Sequence, residues 1–128
     1  MTRKTVWQYR CDYCGKKNYS AGHMKNHEKH CTMNPERECR MCVIAGNITK
    51  DMSVLLAALD IDMEKATAME SGIEIPNLWE TAEECPACVL AALRQYCKDK
   101  EDIFIQNFDY IYSDAIREFW YFYNRTQA

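Results

Sequence analysis

The chain has 128 residues, 48% of them hydrophobic, which fits one domain of modest core or two small ones. No apolar run reaches the ~18 to 20 residues of a membrane span, and Met1 to Arg10 is basic and polar without the apolar centre of a signal peptide. The net charge of −3 conceals a division: residues 1–50 carry ten Lys/Arg against four Asp/Glu, a net +6, whereas residues 51–128 carry six against fifteen, a net −9.

The absence of an export signal predicts a cytoplasmic protein. In a reducing cytoplasm the eight cysteines point to metal binding rather than to disulfides. Cys11 and Cys14, followed after twelve residues by His27 and after three more by Cys31, have the spacing of a zinc finger. A two-residue gap in a tight turn lets both thiolates face one point, and His27 and Cys31, four apart, share one face of a helix. Zinc accepts such a soft, tetrahedral set. His30 offers an alternative fourth ligand, although the thiolate at i+4 fits the spacing better.

Tyr9, two before the first cysteine, Gly15-Lys16 after the second, and Met24, three before His27, extend the pattern. Tyr9 to Cys31 resembles the two-Cys, two-His zinc-finger family in the variant where Cys replaces the last His. The resemblance implies a ββα unit over residues 1–35, with Tyr9 and Met24 in its core. It departs at Asn18, where the family has an aromatic. With Tyr19 next door, the second strand is expected to shift or bulge so that this ring is buried.

The next pair, Cys39 and Cys42, has no histidine downstream. Its partners must be the remaining CxxC pair, Cys85 and Cys88, closing a second zinc site when the chain between them makes a helical excursion and returns. Redox chemistry competes for Cys85-Pro86-Ala87-Cys88, because a helix amino terminus lowers a thiol pKa. The buried strand that precedes such motifs in a βαβ unit is missing, since Leu78 to Glu84 is acidic and helix-like. Cys97 is left as a buried or semi-buried thiol on the following helix.

From Asp51 the pattern is helical. Met52, Leu55, Leu56 and Leu59 recur at three and four, and Asp60-Ile61-Asp62 reads as a break that caps a second helix from Met63 to Ser71, closed by Gly72. Ile73 to Pro76 is expected as an extended connector. A helix should run from about Pro86 to Lys98 with Val89, Leu90, Leu93 and Tyr96 inward, Pro86 being tolerated in its first turn. Asp99 to Asp102 reads as a polar loop and Ile103 to Ile105 as a short extended piece. The last helix, about Asp109 to Asn124, carries Ile111, Tyr112, Ala115, Ile116, Phe119, Trp120 and Tyr123 on a wide apolar stripe. Phe119 to Tyr123 place aromatics round one turn and a half, more than one packed face can bury, so a ring should reach a partner or a second copy.

The fold expected is therefore mainly α and zinc-stabilised: a finger over residues 1–35 and a helical domain over 36–128 stapled by four cysteines, with two Zn²⁺ per chain. The order His27-Glu28-x-x-Cys31, Asn34-Pro35, a second CxxC and then Cys-Pro-Ala-Cys running into Val-Leu-Ala-Ala-Leu-Arg looks like small zinc-finger proteins of bacteriophages and prophages. That resemblance implies action inside a bacterial cell, on nucleic acid or on a host or phage protein.

DNA-reading fingers contact bases one, four and seven residues before the first helical ligand, here Asn26, His23 and Ser20. His and Asn hydrogen-bond base edges, and Lys16, Lys17 and Lys25 would meet phosphates. None of the three reading positions is basic, and the lysines could equally form a plain solvated face. A protein-interaction module, with zinc purely structural and the acidic helices and terminal aromatics as the contact surface, is the alternative. Helix-turn-helix docking is disfavoured, because Asp60, Asp62, Glu64 and Glu70 would face phosphate. Catalysis is not expected: no His lies outside the finger, and a cage of four protein ligands leaves no open coordination position.

Overall fold

The computed structural model describes residues 2–66, 72–98, 100 and 103–126. Two short strands, β1 (Tyr9–Arg10) and β2 (Lys17–Asn18), pair antiparallel with Tyr9 opposite Asn18 and Arg10 opposite Lys17. Helix α1 (Ala21–His30) follows. It starts at Ser20, whose hydroxyl accepts the His23 N–H at 3.3 Å, so one of the amides at the helix start is satisfied by its own cap. The Ser20 N–H in turn donates to Asn18 Oδ1 at 2.7 Å, which fixes the corner between β2 and α1.

Two expectations for this region fail. Tyr9 is 36% exposed and Tyr19 is 68% exposed, so neither ring enters a core. The hairpin sets Tyr9 opposite Asn18 and leaves Tyr9, Arg10 and Lys17 exposed, so no ring lies over Met24. The small cluster beneath them consists of Cys11, Met24 and Cys31 with Met33 against its edge, and sulfur-bearing side chains take the place of the aromatic filling.

Beyond residue 35 the chain forms α2 (Arg40–Ile44), α3 (Met52–Lys65), α4 (Pro76–Thr81), α5 (Pro86–Cys97) and α6 (Tyr112–Thr126). Leu55 and Leu59 of α3, Leu78 of α4 and Val89, Ala92 and Leu93 of α5 are fully buried against one another. Leu90 and Tyr96, expected inward, are only half-buried, and Ala91 shares the interior instead. Ile73 forms a parallel bridge with Phe108, donating its N–H to Asn107 O at 2.9 Å and accepting the Asp109 N–H at 2.8 Å. The partner of the expected connector is thus Phe108 and not the expected extended piece Ile103 to Ile105, whose last residue begins a 3-10 turn, Ile105–Asn107.

The break at Asp60-Ile61-Asp62 does not exist: α3 runs through it to Lys65. Aspartate is a weak helix former because its carboxylate competes for nearby backbone amides. Here the Asp62 carboxylate is committed to α4 instead, accepting the N–H groups of Asn77 and Leu78 at 3.0 and 2.9 Å. Residues 67–71 of the expected Met63–Ser71 helix lie outside the described residues, as do 99, 101 and 102 of the expected polar loop. α6 begins at Tyr112 rather than Asp109: Phe108 is in the bridge to Ile73, with Asp109 bonded beside it, and Ala115 N–H to Ile111 O at 3.0 Å leads into the helix. Ile111 and Tyr112 are exposed, whereas Ala115, Ile116, Phe119 and Trp120 pack on the core.

Candidate metal centres

Among the described residues two groups of four side chains bring their Cys Sγ and His nitrogen atoms within 4.8 Å of one another: Cys11, Cys14, His27 and Cys31, and separately Cys39, Cys42, Cys85 and Cys88. All eight cysteines are free thiols.

The first group is built from local backbone. The Cys11 N–H donates to Lys16 O at 2.8 Å and the Gly15 N–H to Cys11 O at 3.0 Å, folding the two-residue gap into a knuckle. Gly15 closes it at φ +80°, a left-handed angle that glycine adopts without a steric penalty. Glu28, next to His27, reaches back to accept the Asp12 N–H at 2.8 Å, tying the knuckle to α1. Cys14 Sγ then lies 3.3 Å from His27 Nε2. His30 is not part of the group. Its Nδ1 bonds Glu38 O at 2.7 Å, turning the ring toward the chain that leaves the helix.

The second group is assembled from two helix starts facing each other. Cys39 precedes α2 and Cys42 ends the first turn of α2, while Cys85 and Cys88 hold the same two positions on α5. Corresponding sulfurs meet: Cys39 with Cys85 at 3.6 Å and Cys42 with Cys88 at 3.4 Å. The Cys39 N–H donates to Thr49 Oγ1 at 2.8 Å. On the other side Glu83 and Glu84 both take positive φ, +53° and +63°, in the turn that delivers Cys85. A left-handed non-glycine residue costs on the order of 1–2 kcal/mol, a strain that only a strongly determined neighbourhood holds in place. All four thiols belong to the main hydrophobic core.

The electrostatics fit a cation in both places. Burial acts to raise the Cys14 thiol, yet hydrogen bonds from the Lys16 backbone, His27, Cys11 and Cys31 bring it down to about 7. Cys31 is pushed up to about 11, by burial first and then by the thiols of Cys14 and Cys11. In the second group Cys39 is driven far below an ordinary thiol by hydrogen bonds from Cys42, Cys85 and Cys88. Contact with Cys39 raises Cys42 and Cys85 instead. For Cys88 the Cys39 contact acts upward and is outweighed by Cys42 and Cys85, which lower it. Four sulfurs crowded into an apolar interior cannot all ionise without a counter-charge. A divalent ion with ~2.3 Å bonds to sulfur in a tetrahedron needs sulfur pairs ~3.8 Å apart, close to the 3.4 and 3.6 Å present.

The residues expected to meet nucleic acid divide. Lys16, Lys17, His23, Lys25 and Asn26 are exposed, while Ser20 is half-buried with its hydroxyl accepting the helix cap. His23 and Asn26 line a cleft of about 430 Å³ whose wall includes Cys14, His27 and Cys31 of the first ligand group, together with His30, Thr32, Arg40 and Arg94. Arg40 and Arg94 were not singled out from the sequence. Nothing in local spacing connects them to α1, and only the packing of α5 brings Arg94 there, where its Nη1 donates to Thr32 Oγ1 at 2.8 Å.

No protein family, curated protein or solved structure matches the chain. No described helix is long and apolar enough to cross a membrane.

Proposed function

We propose that the chain is a two-zinc, non-catalytic accessory or regulatory factor that binds nucleic acid through its amino-terminal hairpin and α1. In this reading residues 1–35 are a zinc finger in the Cys-Cys-His-Cys variant, and residues 36–128 are a helical domain stapled by the second zinc. Zinc suits the donors: thiolate and imidazole in closed sets of four are its structural coordination, and they leave no position for a reacting water. Each ion would act as a cross-link, and in a chain this short it supplies much of the folding free energy.

The observation that carries the nucleic-acid reading is the unpaired cationic surface of the hairpin and α1. Among the described residues the ion pairs are Lys29–Glu38 and Lys50–Glu83, so Lys16, Lys17 and Lys25 keep their charges without a carboxylate partner. Lys25 lies on α1 with His23 and Asn26, which can hydrogen-bond base edges, and Lys16 and Lys17 belong to the preceding hairpin. On this reading the protein acts in the cytoplasm of a bacterial host, as the resemblance to small phage proteins implies. A titration of the zinc-loaded protein with DNA and RNA at several salt concentrations tests the reading, because phosphate contacts give a negative slope of log K against log salt. Salt-independent binding, or none, removes it.

A second reading is favoured by α6. Tyr121 and Phe122 are 57% and 61% exposed, and a cleft of about 800 Å³ beside them is lined by Trp79, Phe119, Phe122 and Tyr123. An aromatic surface of this kind suits a protein partner, either a host or phage protein or a second copy of the chain.

A further inference from the structure

We infer that the cleft between α1, the start of α2 and the last turn of α5 binds phosphate groups, with a nucleic-acid strand as their source. This deepens the function proposed above and rests on it. His23, Asn26 and His30 come from α1, Arg40 is the first residue of α2, and Arg94 lies in the last turn of α5. Among the described residues no Asp or Glu lines the cleft, whose remaining wall is formed by Cys14, His27 and Cys31 of the first ligand group. Of the nearby carboxylates, Glu28 holds the Asp12 amide, and Glu38 pairs with Lys29 at 2.9 Å while its charge also acts on His30 and Arg40.

Two guanidiniums converge here without an ion-pair partner among the described residues. Arginine presents a planar fork of N–H donors that matches phosphate oxygens. Arg94 is already oriented, since one of its N–H groups is fixed to the Thr32 hydroxyl, and Thr32 is itself held to α5 by Gln95 Nε2 donating to its carbonyl at 2.7 Å. The remaining guanidinium donors are therefore presented at little further entropic cost.

The charge balance supports an anion even with metal bound. Three thiolates, one imidazole and a divalent ion leave one negative charge in the cleft wall, where Cys14, His27 and Cys31 lie, and Arg40 and Arg94 bring two positive ones. At about 430 Å³ the cleft exceeds a single phosphate and falls in the range of ~300–1,000 Å³ typical of small-ligand sites. A phosphodiester with part of its nucleoside fits that size, and the exposed Lys25 and Asn26 on α1 extend the surface along which a strand would continue.

The test uses the zinc-loaded full chain, a fluorescent single-stranded oligodeoxynucleotide and inorganic phosphate. Arg40→Gln should weaken strand binding about tenfold and flatten the salt slope by ~1, with unchanged zinc content because Arg40 is exposed. Arg94→Gln should do the same, and an exposed control on α3, Lys65→Gln, should not. Inorganic phosphate should shift the His23 and His30 ring resonances and compete with the strand. If the strand binds both arginine variants as tightly as the parent while Lys16→Gln and Lys17→Gln lose it, the cleft proposal is overturned and the nucleic-acid reading survives. If phosphate shifts both rings, and does not in Arg40→Gln, yet no strand binds, the cleft stands as a small-anion site and the nucleic-acid reading falls. Rings that ignore phosphate, with no effect of Arg40→Gln, overturn the inference outright.

Discussion

Asp62 in the last turn of α3 accepts the backbone N–H of Leu78 at the start of α4, 2.9 Å away and in the buried core. Its other carboxylate oxygen takes the Asn77 N–H at 3.0 Å and the Asn77 side-chain amide at 2.9 Å. Ile75, which precedes α4, has no side-chain acceptor of its own, so a neighbouring helix supplies the cap.

Asp62→Ala should therefore destabilise the zinc-loaded protein by about 2–4 kcal/mol, because it strands buried amides as well as deleting a cap. Asp60→Ala, two residues earlier and exposed, should change stability by no more than about 0.5 kcal/mol. Urea melts of the two variants decide it; equal losses would mean that the buried carboxylate is not what starts α4.

Cys85→Ser and Cys97→Ser should separate widely. Cys85 faces Cys39 at 3.6 Å within the second ligand group, so its loss should remove one metal per chain by native mass spectrometry and cost about 3 kcal/mol or more. Cys97 is half-buried with its thiol pKa raised by burial, and it belongs to neither group. Its replacement should retain both metals. Equal thermal losses with equal metal content would say that the ligands are misassigned.

Chelation should proceed in two steps. Cys14 is exposed and His27 half-buried, whereas all four thiols of the second group are buried in the main core. A competing chelator should strip the first site quickly and the second only as fast as the helical core opens. Zinc release followed with a colorimetric indicator should be biphasic, and Cys11→Ser should erase the fast phase alone. A single phase in the parent protein would contradict this difference in access.

Arg37 is 5% exposed, and neither of its terminal guanidinium nitrogens has a hydrogen-bond partner among the described residues. Burying an unpaired charge is costly, so Arg37→Met, which keeps the length of the side chain, should raise stability by roughly 1–3 kcal/mol. The check is the denaturation midpoint of the zinc-loaded protein. A lower midpoint would show that an anion neutralises the guanidinium in solution.

On α6, Phe119 packs against the core and stacks on Tyr123, with ring centroids 6.3 Å apart, whereas Phe122 points to solvent. Phe119→Ala should cost about 1–3 kcal/mol, and Phe122→Ala no more than about 0.5 kcal/mol. If α6 is an interface, Phe122→Ala should still abolish the association seen by sedimentation. Stability that falls equally in both would mean that the Phe122 ring is part of the core.

The positions that spacing alone singled out were those whose chemistry is written over a few residues. Cys11-x-x-Cys14 and His27-x-x-x-Cys31 follow from one turn and one helix face, and Pro86 at the start of α5 from a ring that suits a first turn. Asp60-Ile61-Asp62 was misread for the same reason in reverse. A local rule assigns Asp62 to its own backbone, and nothing within a few residues announces that Leu78 needs an acceptor.

By itself the sequence determined the sulfur and imidazole donors, the helical periodicity of α3, α5 and α6, and the opposite charges of the two halves, because each depends on residue type and short-range geometry. The grouping of Cys39 and Cys42 with Cys85 and Cys88 was already legible by elimination, and the tertiary structure decided the pairing within it across 46 positions, Cys39 with Cys85 and Cys42 with Cys88. It also decided that Tyr9 and Tyr19 stay at the surface, that Asp62 caps α4 and that Arg94 joins His23 beside the first ligand group. Those outcomes follow from how helices pack around shared apolar residues such as Leu59, Leu78 and Leu93. Packing of that kind is a property of the whole core, since each buried side chain is placed by neighbours remote in the chain.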